Sequence, residues 1–502
     1  MPEPRTWQLV AGSAVLGLAL AAGAVTAAGP WDSGQRKAER ARAAAADPRG
    51  GAHHAGAPGP APRHPAAVPA PAPSAAGVLR ALGAPGTTGT TGTADTPGTP
   101  DAPGSTRTGD PTGPARPTDW AAVLVPLLAD PGLGPLRTAS VVDVATGRRL
   151  YGEGAATPMT PASTVKIATA AAALSALGPD HRIATTTVTG ADGRTVTLVG
   201  GGDPTLDKTR LKALADATAR ALKARGGTPR PVRLAYDTSL YQGPALHPIG
   251  PNENLAPLSA LMTDEGRLDG SRSGPAPRTA DPAGDTATAF AALLRAAGVT
   301  VHGSPAPGRA PKAPQAAPLA RTDSAPLADL VERTLTTSDN DLAEALARQT
   351  ALARKQPASA TGAAKAVHDE LARLGLPVAG ARFADGSGLD RNDRVSAALL
   401  TGILTRAADP ARPALRPVLT GLPVGGFSGT LAGRFGTDAT APGAGLVRAK
   451  TGTLTGVNTL TGTVVTADGR LLAFAFLAGR TSSPDTAQPA LDRLAAALAP
   501  PR

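Results

Sequence analysis

The alternation of apolar and polar positions divides the chain into regions of different character. After Arg5 an almost unbroken apolar stretch runs from Trp7 to about Ala28, with no period at all. Its basic lead, its length of about 20 residues and the small residues of Ala22-Gly23-Ala24 and Val25-Thr26-Ala27 predict a signal peptide or membrane anchor over 1–29. The basic cluster Arg36, Lys37, Arg40 and Arg42 behind it weighs against an anchor with its N-terminus inside. From 30 to 118 apolar periodicity is lost. Runs such as Ala-Pro-Ala-Pro at 70–73 and Gly-Thr-Thr-Gly-Thr-Thr-Gly-Thr at 86–93 cannot bury enough apolar surface to offset backbone entropy, so a disordered Pro/Ala/Gly/Thr-rich linker is expected.

Periodic structure begins at Asp119, a cap for a helical run from Trp120 to Leu128 that tolerates Pro126. Residues 139–144 and 149–151 flank Ala145-Thr146-Gly147 as a hairpin, and the Ala-rich 163–177, free of Gly and Pro, predicts a helix. Strands are expected at 184–189, 195–199 and 232–236, and helices at 206–224, 284–297, 326–335, 340–353, 360–374, 395–408 and 486–499. Residues 446–450, 457–466 and 471–478 read as strands, the last two joined by Ala467-Asp468-Gly469. Helices mixed with antiparallel strands in this order argue for an α+β domain.

Composition sharpens this picture. Gly 59 and Pro 51 make up about 22% of 502 residues, close to low-complexity sequence, while 41% hydrophobic residues suffice for a core of several hundred residues. With Cys 0 there is no disulfide, thiolate metal site, iron–sulfur cluster or cysteine nucleophile. The seven histidines form no H-E-x-x-H, and no G-x-x-x-x-G-K-[ST] occurs, so neither zinc nor a P-loop nucleotide is indicated and no cofactor is expected. Ten Lys/Arg and seven Asp/Glu fall in 1–118, so +8 of the net +11 is spread thinly over the remainder. That is a solvated basic surface suited to long-range attraction by an anionic cell wall, and it does not point to nucleic acid.

Three short elements carry the chemistry: Ser163-Thr-Val-Lys166 opening a helix, Ser338-Asp339-Asn340 opening another, and Lys450-Thr451-Gly452 at the end of a strand. Singly, each reads equally well as a cap, a solvated lysine or a strand end; their order and settings make the signal. On a helix, positions i and i+3 share a face, which brings the Ser163 hydroxyl and Lys166 amine within proton-transfer reach. Lysine is a base only when neutral, and burial or a nearby cation such as Lys450 can lower its ordinary pKa of about 10.4. Backbone N–H groups at the helix start, with a second from Thr453, can stabilise an oxyanion. Ser338 can relay a proton, Asn340 can hold a peptide carbonyl, and Lys450 with Thr451 can bind a carboxylate. Together these suit acyl transfer on a peptide with a free C-terminus. A Ser-His-Asp hydrolase is disfavoured, because Gly386-Ser387-Gly388 and Phe427-Ser428-Gly429 both fail the G-x-S-x-G spacing.

On these motifs the chain resembles the low-molecular-mass class C penicillin-binding proteins, the D-alanyl-D-alanine carboxypeptidase/endopeptidase family. Segments 198–206, 256–262, Ser338-Asp-Asn-Asp-Leu-Ala-Glu, Asp385-Gly-Ser-Gly-Leu and Arg394-Val-Ser-Ala add to the likeness, which covers about 119–500. The resemblance implies a penicillin-recognising serine transpeptidase/β-lactamase-like fold, a five-stranded antiparallel sheet with helices, interrupted by an inserted module. Spacing agrees: 119–189 and 318–502 would form the catalytic domain, and 190–317, with its own strands and helices, the module. It also implies an exported enzyme that acts on peptidoglycan stem peptides and takes β-lactam antibiotics as covalent inhibitors. A serine β-lactamase and a silent wall-binding scaffold of the same fold are the alternatives. Asp390 and Asp393 make the loop after Gly388 unusually acidic, and the Pro/Ala-rich 304–319 reads as an added loop.

Overall fold

Asp119 accepts the N–H groups of Ala121 and Ala122 at 3.1 and 3.2 Å, which starts α1 (Trp120–Leu128) and puts Trp120, Leu124 and Leu128 on one buried face. The computed structural model describes residues 118–500 apart from 192, 226–230 and 313–314. The expected leader and all of the expected linker except Thr118 lie outside the described residues, among which no helix is long and apolar enough to cross a membrane.

The hairpin of β1 (Leu136–Asp143) and β2 (Arg149–Glu153) forms as expected. After β3 (Pro158–Met159), the chain tightens into a 3-10 turn at Ala162–Val165 that runs directly into α2 (Lys166–Leu177). The helix expected from 163 therefore opens as a tighter turn. Every residue of α2 from Lys166 to Leu174 is buried, as in a helix enclosed by other elements.

The next elements build a second sheet: β4 (Ala184–Thr189), β5 (Thr195–Val199), α3 (Lys208–Ala224), β6 (Arg233–Asp237), α4 (Pro282–Ala296), β7 (Ala306–Pro307) and β8 (Ala317–Asp323). Its order is β7-β6-β5-β4-β8, with β5, β6 and β7 parallel. Leu211 and Leu214 of α3 and Phe290 and Leu294 of α4 pack on Val196, Leu198 and Leu234 of the sheet. Antiparallel β4 and β8 pair from Ala184↔Asp323 onward, so the excursion leaves and returns at one place. β4, and all of β8 except Ala317, fall outside the 190–317 interval expected from sequence.

The chain then adds α5 (Leu327–Thr337), α6 (Asn340–Ala353), α7 (Ala360–Arg373), β9 (Val395–Ser396), α8 (Ala397–Ala407), α9 (Pro417–Thr420), β10 (Arg448–Leu454), β11 (Val457–Val465), β12 (Leu471–Gly479) and α10 (Pro484–Ala496). The first sheet is five-stranded and antiparallel, in the order β10-β11-β12-β1-β2. Alternation along β12 feeds two cores. Leu472, Phe474, Phe476 and Ala478 meet the layer of α1 and α10, while Ala473, Ala475 and Leu477 face α2, α5, α7 and α8. Each buried Phe contributes roughly 1.5–3 kcal/mol. β10 is an edge strand that continues through Lys450-Thr451-Gly452, so the motif lies within the strand and not at its end.

Candidate active site

The turn that carries Ser163 is held from both sides. The Pro161 carbonyl accepts Thr164 Oγ1 at 2.7 Å and Thr459 Oγ1 of β11 at 2.8 Å. Gly452 lies where a Cβ would collide with Thr459 Oγ1 and the Pro161 carbonyl, so the third residue of the Lys-Thr-Gly motif lets β10 approach the turn. Gly388, at φ 84°, approaches the Ala162 carbonyl in the same way from the opposite loop.

Lys166 is fully buried, and its Nζ lies 2.9 Å from Ser163 Oγ, 2.7 Å from Asn340 Oδ1 and 2.5 Å from the Ser387 carbonyl. Burial brings its pKa down to about 8, against the opposing pull of Asp385, Asp339, Glu344 and Asp393. Lys450 is also fully buried, with Nζ 2.9 Å from Ser338 Oγ and 2.8 Å from the Thr451 carbonyl. Burial, and then the charge of Lys166, hold it well below the usual lysine range. The sequence suggested either burial or the Lys450 charge as the depressor of Lys166; burial is the leading cause for both lysines.

Ser338 joins α5 to α6 in the left-handed conformation (φ 60°, ψ 39°), at a cost of about 1–3 kcal/mol for a non-glycine residue. Asp339 then caps α6 by accepting the Leu342 N–H at 3.0 Å. Asn340, the first residue of α6, turns Oδ1 to Lys166 and donates Nδ2–H to the Asn254 carbonyl at 3.0 Å. On β10, the Ala449 N–H donates to the Pro423 carbonyl at 2.9 Å, away from β11. Two-residue alternation therefore turns the N–H groups of Thr451 and Thr453 to the same open edge. Thr451 Oγ1 donates to Thr430 Oγ1 at 2.9 Å.

Ser163, Ser338, Asn340 and Thr453 line one cavity of about 280 Å³, together with Asn254, Thr430 and Leu389. Larger cavities of about 850 and 700 Å³ open beside β1 and α8 and beside Trp120, and none of the motif residues lines them. The three motifs, far apart in sequence, thus converge: Lys166 bonds Ser163 and Asn340, Lys450 bonds Ser338, and Ser163, Ser338 and Asn340 from the two groups meet at one cavity, with Thr451 and Thr453 on the adjoining edge. Sequence reasoning missed the Ser387 and Asn254 carbonyls. It also missed Glu344, whose Oε1 accepts the N–H groups of Gly386 and Ser387 at 2.9 and 3.1 Å while Oε2 pairs with Arg348 at 2.7 Å. The Asp385-Gly-Ser-Gly run was the visible signal for the Ser387 turn; backbone carbonyls leave none.

The model of the D-Ala-D-Ala carboxypeptidase 3 (S13) family matches residues 121–276 and 269–498. This chain belongs to that family. It is 38% identical over 396 residues to carboxypeptidase DacB of Mycolicibacterium smegmatis, covering 75% of this chain and 83% of the relative. It is 31% identical over 455 residues to the D-alanyl-D-alanine carboxypeptidase of Actinomadura sp., covering 74% and 82%. The crystal structure of penicillin binding protein 4 (dacB) from Haemophilus influenzae shares the fold, with a TM-score of 0.62 and 22% identity over 75% of this chain and 98% of that one. The family resemblance, the α+β transpeptidase-like fold and the serine-type D-Ala-D-Ala carboxypeptidase class expected from the sequence are borne out.

Proposed function

We propose that this S13 carboxypeptidase hydrolyses peptidoglycan stem peptides through an acyl-enzyme on Ser163, with Lys166 as the base. The observation that carries the reading is the 2.9 Å contact between Lys166 Nζ and Ser163 Oγ at a fully buried amine. With a pKa of about 8, roughly one lysine in ten is neutral at pH 7, enough to serve as a base. Neutral Lys166 takes the Ser163 proton as Oγ attacks the penultimate D-Ala carbonyl. The N–H groups of Ser163 and Thr453 receive the oxyanion. Ser338, bonded to Lys450, passes a proton to the departing D-Ala amine and is reprotonated at the expense of the one Lys166 took. Water then cleaves the ester, giving its proton to Lys166, which returns it to Ser163 Oγ. Lys450 and Thr451 hold the substrate carboxylate, and Asn340 holds the peptide. β-Lactam antibiotics meet the same nucleophile and form the same kind of ester. The apolar stretch from Trp7 supports an exported enzyme of the cell envelope, with N-terminal membrane association if that stretch is retained.

Two measurements on the full chain test this. Fluorescent penicillin followed by proteolytic mapping should label Ser163, and defined muropeptides should lose the terminal D-Ala by mass analysis. An adduct on Ser338, Ser387 or Ser428 would overturn the assignment. Unlabelled protein would favour the silent scaffold, and rapid release of the label a β-lactamase.

A further inference from the structure

Behind the Ser387 carbonyl lies a buried pair of acids that the reaction does not use. Asp385 receives five donors: the N–H groups of Ser387 (3.0 Å), Gly388 (2.6 Å) and Asp390 (2.7 Å), Ser387 Oγ (3.1 Å) and His247 Nε2 (3.0 Å). His247 Nδ1 accepts the Ile249 N–H at 3.3 Å, which assigns the ring proton to Nε2. Asp393 is fully buried and accepts only the N–H groups of Ala384 (2.6 Å) and Asp385 (3.4 Å), both on Oδ1. Its Oδ2 is buried with no donor, and the charge of the neighbouring Asp385 carboxylate bears on it.

Two neighbouring ionised carboxylates inside a protein repel without solvent to screen them, so one of them keeps a proton. The donor count decides which. Five donors stabilise Asp385 as the anion, whereas an oxygen with no donor beside an acceptor is the place of an O–H. The other charges around the pair do not change this. His247 comes from the loop after β6 and faces Asp385. Glu344 of α6 is already paired with Arg348, Lys166 of α2 points to the Ser387 carbonyl, and Asp390 adds negative charge from the same loop. Arg394 directs its guanidinium to Thr160 Oγ1 and to the carbonyls of Arg391 and Asp393. Among the described residues no cation pairs with the Asp393 carboxyl.

We propose that Asp393 is a neutral carboxylic acid whose Oδ2–H donates to Asp385, and that this acid–carboxylate pair, closed on its far side by His247, positions the Ser387 carbonyl that holds Lys166. The inference rests on Lys166 being the base. Burial first, and then the Asp385 charge, push the Asp393 pKa up to about 9, in keeping with a proton retained over the working range. Asp385 organises the turn through its N–H contacts. Ionising Asp393 would set two buried anions against each other directly behind Lys166. Asp393 and His247 are positioning residues: neither lines the cavity at Ser163.

The test compares Asp393→Asn with Asp393→Ala in the full chain. Asparagine can accept the Ala384 N–H through Oδ1 and donate Nδ2–H to Asp385, so it replaces the proton without the charge. Alanine should lower the rate of penicillin acylation about tenfold and asparagine should restore it to within about twofold, since only alanine leaves Asp385 short of a donor. The wild type should lose acylation rate above about pH 9 while the asparagine variant does not. Thermal unfolding reads the proton independently. The folded wild type keeps it to about pH 9 and the unfolded chain releases it near the ordinary 3.8, so the contribution of Asp393 to wild-type stability falls with pH across that window. The Tm advantage of Asp393→Asn should therefore widen by several degrees between about pH 5 and about pH 9. A Tm difference independent of pH, or an asparagine variant as slow as alanine, overturns the shared proton. Either result with Ser163 still labelled leaves the proposed reaction standing, whereas failure of the wild type to label removes the reaction itself.

Discussion

Lys166 and Lys450 bring the same side chain to two sides of the same cavity, each bonded to residues that line it, and both are fully buried. Their surroundings separate them. Lys166 sits on a wall with three acceptors and four carboxylates in electrostatic range, and its pKa stops falling at about 8. Lys450 has two acceptors, and the charge of Lys166 adds to its burial penalty. Burial alone would make both lysines equally reluctant cations. The carboxylates on one side, and the second lysine's charge on the other, make one wall a tuned base and the other a site that gains from an incoming anion.

The hardest test of this contrast is Lys166→Met, which removes the base and should lower acylation of Ser163 by about a thousandfold or more, read by the rate of penicillin labelling. Lys450→Ala should cost more than about tenfold on a free-carboxylate peptide, the scale of a charge-assisted contact of roughly 1.5–3 kcal/mol, and much less on the amidated peptide. Equal losses on both peptides would remove the anion-binding role. The pH dependence should separate the walls further. Acylation should rise as Lys166 loses its proton towards about pH 8, whereas KM for the free-carboxylate peptide should rise with pH as Lys450 binds its proton less readily. The contribution of Lys166 to stability changes with pH in the opposite sense to that of Asp393. Its folded pKa of about 8 lies below the ordinary 10.5, so at this group the unfolded chain binds more protons between these values and the lysine's own contribution to stability increases with pH across that window, by up to about 3 kcal/mol. The smallest effect belongs to Thr459→Val, which removes the bond to the Pro161 carbonyl and should slow acylation a few-fold with about 1 kcal/mol lost from denaturant unfolding.

The parts of this site that were legible in the sequence are those made by side chains at fixed local spacing. Ser163 and Lys166 share a turn, Ser338 and Asn340 straddle the cap Asp339, and the order of the motifs supplied the rest. What stayed hidden has physical reasons. The Asn254 and Ser387 carbonyls act through backbone, which any residue possesses, and His247 reaches Asp385 across a sequence separation no local pattern spans. The Pro/Ala-rich 304–319 reads as a loop in the sequence, yet it supplies β7 and the start of β8. Both are edge strands, where proline is tolerated because one row of N–H groups needs no ladder partner. The first lysine wall was also easier to read than the second. β10 was expected to stop at Lys450 because Thr-Gly-Thr lacks an apolar alternation, and an edge strand bordering a polar cavity needs none.

The paired entry and exit strands β4 and β8 have a consequence for how such an enzyme can diversify. With Ala184 opposite Asp323 on one rung of the ladder, everything between them is attached as a cassette on a two-strand stalk, and exchanging the cassette would not require rethreading the remaining chain. Yet it is no neutral graft. It delivers the Asn254 carbonyl to Asn340 and the His247 imidazole to Asp385, so a replacement would have to bring an equivalent acceptor and an equivalent donor to the same two places. The architecture permits free exchange of the cassette's outer parts while fixing the segments that reach inward, among them Gly201, Ala256, Glu265 and Arg278, and lineages built on this plan should vary in the former long before the latter.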